Sequence, residues 1–500
     1  MKSRIILSTL VLLFATVVLS FVLPVAAQDA TGNMIPLDHP FAAFLESRAY
    51  GASLGATAEF NKMEWVVVDN TNMRLYMAMS DITGAMTDGT GEISVDENRC
   101  GIVYYADLAE DYTMSELHPL VIGGGPNNTD DGPNRCDVDS ISNPDGVGVD
   151  AMGRVWIWED SGRHHNNMIW VYNPADQSLK RWGYVPAGGE VTGVYIAADG
   201  TVFFNVQHPD ATNLYPYNAG VVMVVNGFNA NTDDFEPIAV PEGDAQLRAG
   251  VAAGEIQVIA RVGDPIPNSY SGDVFGGIYD VTGSLMFVSN DPDGNMWLPT
   301  AEDGSEGWLY TNMETIPGGV GRLYLIKSET GWEVVDGQMV NFSGVNGTWT
   351  NCGSSVTPWN TGMTSEEYEP IASDFNNVAG MSEYVGADAN PYDYGWLVEL
   401  SPDGLDDEVT KRFALGRFSH ENGTFAADEM TVYHGDDGAN VMLFRSVAAE
   451  AGDLSTATLY AGKVTQMGGT GAEHYFQIEW IELGTATDAD IEAAIRELDR

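Results

Sequence analysis

The stretch Asn143–Asp160, NPDGVGVDAMGRVWIWED, sets a pattern that the rest of the chain repeats. Asn143-Pro144-Asp145-Gly146 is turn chemistry. Arg154–Trp158 (RVWIW) is a short run of β-formers that ends on Glu159-Asp160. The same reading applies to Glu64–Asp69 (EWVVVD), Thr201–Val206 (TVFFNV), Leu285–Ser289, Arg322–Ile326, Trp396–Leu400 and Val441–Phe444. Turn dipeptides separate them: Asp199-Gly200, Asp293-Gly294, Asp303-Gly304, Asp403-Gly404 and Asp437-Gly438. Long helical periodicity is nearly absent. One helix closes the chain, capped by Thr487, with Asp488 and Asp490 at its N-terminus and Ile491, Ala494, Ile495 and Leu498 as its apolar face.

The chain is therefore all-β, and it holds more short strands than one sandwich accommodates. A β-propeller removes the problem of exposed sheet edges by arranging blades radially, and its central channel is a natural place for metals. No clean repeat of about 40–50 residues is visible, so the expected propeller is irregular, with about six blades and long loops.

Composition narrows the function. The 500 residues carry 72 Asp+Glu against 22 Lys+Arg, a formal net charge of −50, with 44% apolar residues. A chain this apolar builds a core, so it is not an acidic disordered tail. A surface this acidic repels nucleic acid and anionic lipid and attracts cations. Excess acid also keeps an exported or salt-adapted protein in solution. Lys2 and Arg4 precede an apolar run from Ile5 to Val25, and Val25-Ala26-Ala27 fits a cleavage site. Residues 1–27 read as a secretory signal with Gln28 as the first mature residue, the alternative being a retained anchor, and residues 28–500 as a single domain. Export makes disulfides available. Cys100 and Cys136 share one loop-rich stretch and are the expected pair, which leaves Cys352 for another role.

Gly51-Ala52-Ser53-Leu54-Gly55 matches the nucleophile-elbow string but lacks the strand before it and ordered acid and histidine partners after it. Walker A, HExxH and CxxC strings are absent. Polar segments at strand ends carry more information. Acids from separate blades that converge on one channel repel one another unless cations lie between them. A thiolate among carboxylates favours a transition metal, and carboxylates alone favour Ca²⁺.

These residues resemble those of the PhoX-type bacterial alkaline phosphatases. The strings that carry the resemblance are Gly307–Pro317 (GWLYTNMETIP), Asn351–Glu367 (NCGSSVTPWNTGMTSEE), Ala414–Glu421 (ALGRFSHE), Tyr433–Asp437 (YHGDD), Asn143–Asp160 and Glu190–Pro209. The resemblance implies an exported β-propeller that hydrolyses phosphomonoesters with Ca²⁺ and Fe³⁺ held in its channel. It implies Cys352 as an iron ligand and Glu366, Glu367, Glu421, Asp145, Glu314 and Asp436 or Asp437 as metal carboxylates. It implies Arg417 as the grip on phosphate and, with Glu421, as a catalytic residue. The expected partner is a small phosphomonoester, with no nucleic acid and no membrane after signal cleavage. The chain is expected to be periplasmic or extracellular and monomeric.

Four features depart from the family pattern. Gly146 follows Pro144-Asp145 where the family usually has Asn, and Ser365 stands where it often has Cys. The signal lacks a twin arginine. The motif order also differs, since the Asn-Pro-Asp and Gln-His-Pro strings precede the cysteine string here, and a closed ring tolerates a permuted chain. Other functional classes remain open: a Ca²⁺-dependent lactonase or phosphodiesterase, or a non-catalytic, Ca²⁺-stabilised envelope protein.

Overall fold

A computed structural model describes residues 34–401 and 409–499. The signal segment 1–27, Gln28 and the Asp403-Gly404 turn lie outside the described residues. Among the described residues, no helix is long and apolar enough to cross a membrane.

The fold is built from antiparallel sheets. Six inner strands recur along the chain, β1 (Phe60–Asp69), β2 (Pro144–Val149), β3 (Glu190–Ile196), β4 (Pro292–Pro299), β5 (Asn351–Val356) and β6 (His420–Phe425); β1 and β6 are the two ends of one large sheet, and each of the other four begins a sheet of its own. Each touches the next, and β6 touches β1, so the six form a closed ring. Buried polar side chains bridge the ring where no backbone ladder does. Asn422 on β6 accepts from the Val66 N–H and donates to the Val66 carbonyl of β1, both at 2.9 Å. Thr192 on β3 donates to the Pro292 carbonyl of β4 at 2.7 Å, and Ser354 on β5 donates to the Asn295 carbonyl of β4 at 3.0 Å. These bonds satisfy backbone groups that burial would otherwise leave unpaired.

From the ring, each sheet runs outward through further antiparallel strands. Val155–Glu159 and Val202–Gln207 are buried along their whole length. This explains their near-continuous apolar reading, because each sheet is covered on both faces by its neighbours. Trp156, Trp158, Trp170 and Trp182 are fully buried in one such layer, and the Trp156 and Trp182 rings meet edge-on at 4.8 Å. Burial of large side chains of this kind contributes roughly 1.5–3 kcal/mol each.

The chain termini close the structure differently. Strands from the first sheet pair with Tyr475–Thr487 through Phe476↔Leu117, and β1 pairs with Thr431–Val441 through Phe60↔Val441. Eight strands thereby form a closed, barrel-like sheet around Met63, Tyr104, Leu117, Val464 and Phe476. The closing helix covers Asp488–Arg496, with the Thr487 hydroxyl accepting from the Asp490 N–H at 3.1 Å.

Two expectations need correction. Val441–Phe444 is not a strand: Val441 ends one strand and Phe444 begins the next, with Met442 and Leu443 between them. Asp293-Gly294 and Asp437-Gly438 are not solvated turns, since both lie within strands with their acids buried. The Gly51–Gly55 string falls on the helix Ser47–Leu54, where the Ser53 hydroxyl donates to the Tyr50 carbonyl.

Candidate metal centre

At one end of the ring each inner strand delivers one acid or thiol: Glu64 from β1, Asp145 from β2, Glu190 from β3, Asp293 from β4, Cys352 from β5 and Glu421 from β6. On β2 to β6 that side chain is the first or second residue of the strand. The following strand of a sheet returns to the same end, so Asp160, Glu314 and Glu367 arrive just after Val155–Glu159, Glu306–Met313 and Gly362–Glu366. Asp437 joins them from Thr431–Val441. All of these groups but Asp293 line a cavity of about 260 Å³ together with Lys62, Tyr368, Arg135 and Arg163, and Asp293 lies beside the lining residues Cys352 and Glu314.

Cys352 is the hinge of the cluster. Ligand atoms of Cys352, Asp293 and Glu314 lie within 4.8 Å of one another, and so do those of Cys352, Glu367 and Glu421. The Cys352 carbonyl is fixed by the Asn312 amide at 2.7 Å, which orients the strand beneath the thiol. Among the described residues, the buried Glu421 Oε1 has no hydrogen-bond partner.

Electrostatics explain what this arrangement demands. Burial, then mutual repulsion, pushes Glu64, Asp145, Glu190, Asp293, Glu367 and Glu421 well above the usual carboxylate range. Burial, then Asp293 and Glu421, pushes the Cys352 thiol up as well. One acid behaves otherwise: burial opposes the charge of Asp437, but Lys62 and donated hydrogen bonds outweigh it and hold the pKa down. Lys62 Nζ lies 2.6 Å from Asp437 Oδ2 and 3.0 Å from the Tyr368 hydroxyl. Converging carboxylates, a thiol and an unpartnered carboxylate oxygen fit hard cations, plus one metal that tolerates sulfur.

Cys352, Glu367, Glu421, Asp145, Glu314 and Asp437 come together as the sequence suggests, and three other named residues do not. Arg417 lies away from the cavity. Its buried guanidinium donates to the backbone carbonyls of Tyr394, Pro391 and Pro370 and rests over the Tyr392 ring, so it is not free to grip phosphate. Glu366 points to the opposite side from Glu367, as side chains alternate along a strand. It accepts from Lys411 Nζ at 2.9 Å and from the Gly395 and Trp396 N–H groups. Asp436 alternates with Asp437 in the same way and faces Arg48 and the Met442 N–H.

Sequence reasoning missed Glu64, Glu190, Asp160, Asp293, Lys62 and Tyr368. The signal for Asp293 was present, since Pro-Asp-Gly occurs at both 144–146 and 292–294 and begins an inner strand each time. Gly146 has a local cause: a Cβ there would fall 1.7 Å from the Trp158 ring, so the indole occupies the space of a side chain. Ser365 donates to the Gly353 and Glu421 carbonyls and is not among the clustered ligand atoms. Five non-glycine residues with positive φ flank the site: Lys62, Asn143, His208, Thr350 and Tyr368. Such conformations persist where surrounding contacts over-determine them, commonly at functional sites.

Cys100 and Cys136 are joined, and Cys352 is a free, buried thiol.

The chain matches the family of the alkaline phosphatase PhoX over residues 27–210 and 321–498, well over half its length, and belongs to that family. Among solved structures it is similar to Pseudomonas fluorescens PhoX in complex with vanadate, a transition-state analogue. That likeness has 20% identity and a TM-score of 0.32, covering 41% of this chain and 51% of the other. The chain thus spans about half of that relative. It is also similar to Penicillium chrysogenum α-L-arabinanase, at 10% identity and TM-score 0.39, covering 86% and 97% of the two chains. A third likeness is to the calcium-binding protein regucalcin of Agrobacterium tumefaciens, at 10% identity and TM-score 0.35, covering 76% and 84%. No curated protein matches the chain.

Proposed function

We propose that the chain is an exported, metal-dependent phosphomonoesterase: a six-bladed propeller formed by residues 28–500, acting as a monomer on small phosphomonoesters, without nucleic acid or membrane partners. The observation that carries this reading is the convergence of one acid or thiol from each of six inner strands, five of them lining a single cavity and Asp293 set beside its Cys352 and Glu314. Family membership supports the reaction class. The ring of six inner strands supports the blade number, and its closure is compatible with a permuted order of the family's motifs.

Cys352 with Glu367 and Glu421 suits iron, because a thiolate favours a transition metal, and the remaining carboxylates suit Ca²⁺. Metals held there would polarise the phosphate ester and offset charge on the leaving oxygen. The chain itself supplies the rest. Glu64, Asp145, Glu190, Asp293 and Glu314 balance the cations and fix their positions. Lys62, kept charged by Asp437, then Glu64 and Glu367, against the cost of its burial, takes the place expected of Arg417 and presents an ammonium to the phosphate. Tyr368 holds Lys62 and Asp437 together through its hydroxyl.

The test is phosphate release from simple phosphomonoesters by purified chain supplied with Ca²⁺ and iron, compared with Lys62→Met and Glu367→Gln. Turnover in the wild type that falls at least about 100-fold in Glu367→Gln supports the reading, in line with the size of electrostatic effects on catalysis. Turnover unaffected by Glu367→Gln contradicts it.

A further inference from the structure

The cavity mouth holds two cations that the acidic site does not neutralise. Arg135 and Arg163 both line it. Among the described residues neither guanidinium is in an ion pair, in a chain whose 22 Lys and Arg are outnumbered by 72 acids. Arg163 makes no side-chain hydrogen bond within the described residues, and Arg135 makes one, to the Gly162 carbonyl at 2.7 Å.

They are held side by side. The Arg135 and Cys136 N–H groups both donate to the Arg163 carbonyl, at 2.7 and 3.3 Å. Cys136 is tied by its disulfide to Cys100, next to Arg99. Burial, then Arg135, pushes the Arg163 pKa down, as expected where like charges are crowded. Of the acids around the cavity, those that act most on Arg163 are Asp81 and Glu97. Glu97 is paired with Arg99 at 2.8 Å, which leaves Asp81 as the acid of the cavity wall facing Arg163. Crowding two unpaired guanidiniums costs stability, and an oxyanion received in a bidentate fork offsets that cost.

We propose that Arg135 and Arg163 form a subsite for a second oxyanion on the substrate, so that phosphomonoesters bearing another phosphate or a carboxylate are preferred over simple ones. This rests on the phosphomonoesterase reading and assigns its substrate class. The metal-lined end of the cavity receives the scissile phosphate, and the arginine pair receives the other anion.

The experiment uses the metal-loaded full chain and two matched pairs of probes: fructose 1,6-bisphosphate against fructose 6-phosphate, and 3-phosphoglycerate against glycerol 3-phosphate. Both kcat/KM and calorimetric affinity are measured. The wild type should favour the bisphosphate at least about tenfold, which corresponds to about 1.4 kcal/mol. Arg163→Ala and the Arg135→Ala/Arg163→Ala double variant should bring that ratio towards one through KM, and Arg163→Lys should keep part of it. Because the Arg163 side chain makes no protein hydrogen bond among the described residues, its loss does not threaten the fold. Preference within both pairs assigns a general oxyanion subsite, and preference within the first pair alone assigns a phosphate subsite. Hydrolysis of all four probes without preference overturns the subsite and leaves the phosphatase reading standing. Inactivity on all four overturns that reading, and equal calorimetric affinities then overturn the subsite as well.

Discussion

Cys352 Sγ lies 3.3 Å from Glu421 Oε2, a contact between the second residue of β5 and the second residue of β6. It joins two adjacent sheets at the centre of the acidic cavity, where a thiol is chemically unlike every other group. If Cys352 is a metal ligand, Cys352→Ala should lose bound iron and nearly all turnover while keeping its far-UV circular dichroism and a cooperative melt. Metal analysis and an activity assay on the same preparation check this. Full activity without iron would remove Cys352 from the site.

Glu366 and Glu367 are neighbours in sequence with opposite tasks. Breaking the buried Glu366–Lys411 pair leaves an uncompensated charge, so Glu366→Gln should lower stability by about 3–5 kcal/mol. Glu367→Gln removes one of several mutually repelling acids. It should leave the metal-free chain as stable as the wild type or more so, while weakening metal binding. Urea denaturation of both variants without metal checks the contrast.

Arg417 is predicted to be structural. Its removal leaves the carbonyls of Tyr394, Pro391 and Pro370 buried without this donor. Arg417→Ala should cost about 3 kcal/mol or more of stability, from roughly 1–3 kcal/mol for each unsatisfied group. Arg417→Lys should be partly destabilised but keep the KM of the wild type. A raised KM with unchanged stability would return Arg417 to the site.

The metal-free protein should become less stable as pH rises. Acids whose folded-state pKa is raised keep protons in the folded chain that the unfolded chain has already released. Their favourable contribution at low pH is therefore lost as pH climbs from the unfolded value through the folded one. Burial raises the acids of the cluster other than Asp437, and Asp436 beside it goes from 3.8 to about 7. Without metal, the melting temperature should fall between about pH 5 and pH 7.5. Ca²⁺ at about 100 times its dissociation constant should restore about 2.7 kcal/mol at the higher pH. Melts at both pH values with EGTA and with Ca²⁺ check this. Stability that rises over this range in EGTA would contradict it.

The sequence revealed strands better than it revealed which way their side chains face. EWVVVD lies within a strand, and all of RVWIW and TVFFNV but the first residue does too, because β-branched and aromatic residues between Gly, Asp and Pro have few other options. VMLF failed because a run of four apolar residues carries no period, and here the buried Met442 and Leu443 form a break between two strands. Within the site, Glu366 could not be told from Glu367, nor Asp436 from Asp437. A shift of one residue reverses the face of a strand, and the choice depends on register, which tertiary pairing sets. Arg417 sits in one of the strings that carry the family resemblance, yet its partners are carbonyls of residues 370–394, which only the folded chain brings near. Lys62 carried no signal, because a single basic residue in an acidic chain has no distinguishing neighbours in sequence.

The most direct test of the account is metal content measured together with phosphomonoester hydrolysis on one purified preparation, before chelation, after it, and after Ca²⁺ and iron are returned. The account predicts bound calcium and iron, turnover at neutral to alkaline pH, loss of both on chelation and recovery of both on reconstitution. A chain that binds neither metal, or that binds both and hydrolyses no phosphomonoester, would contradict it.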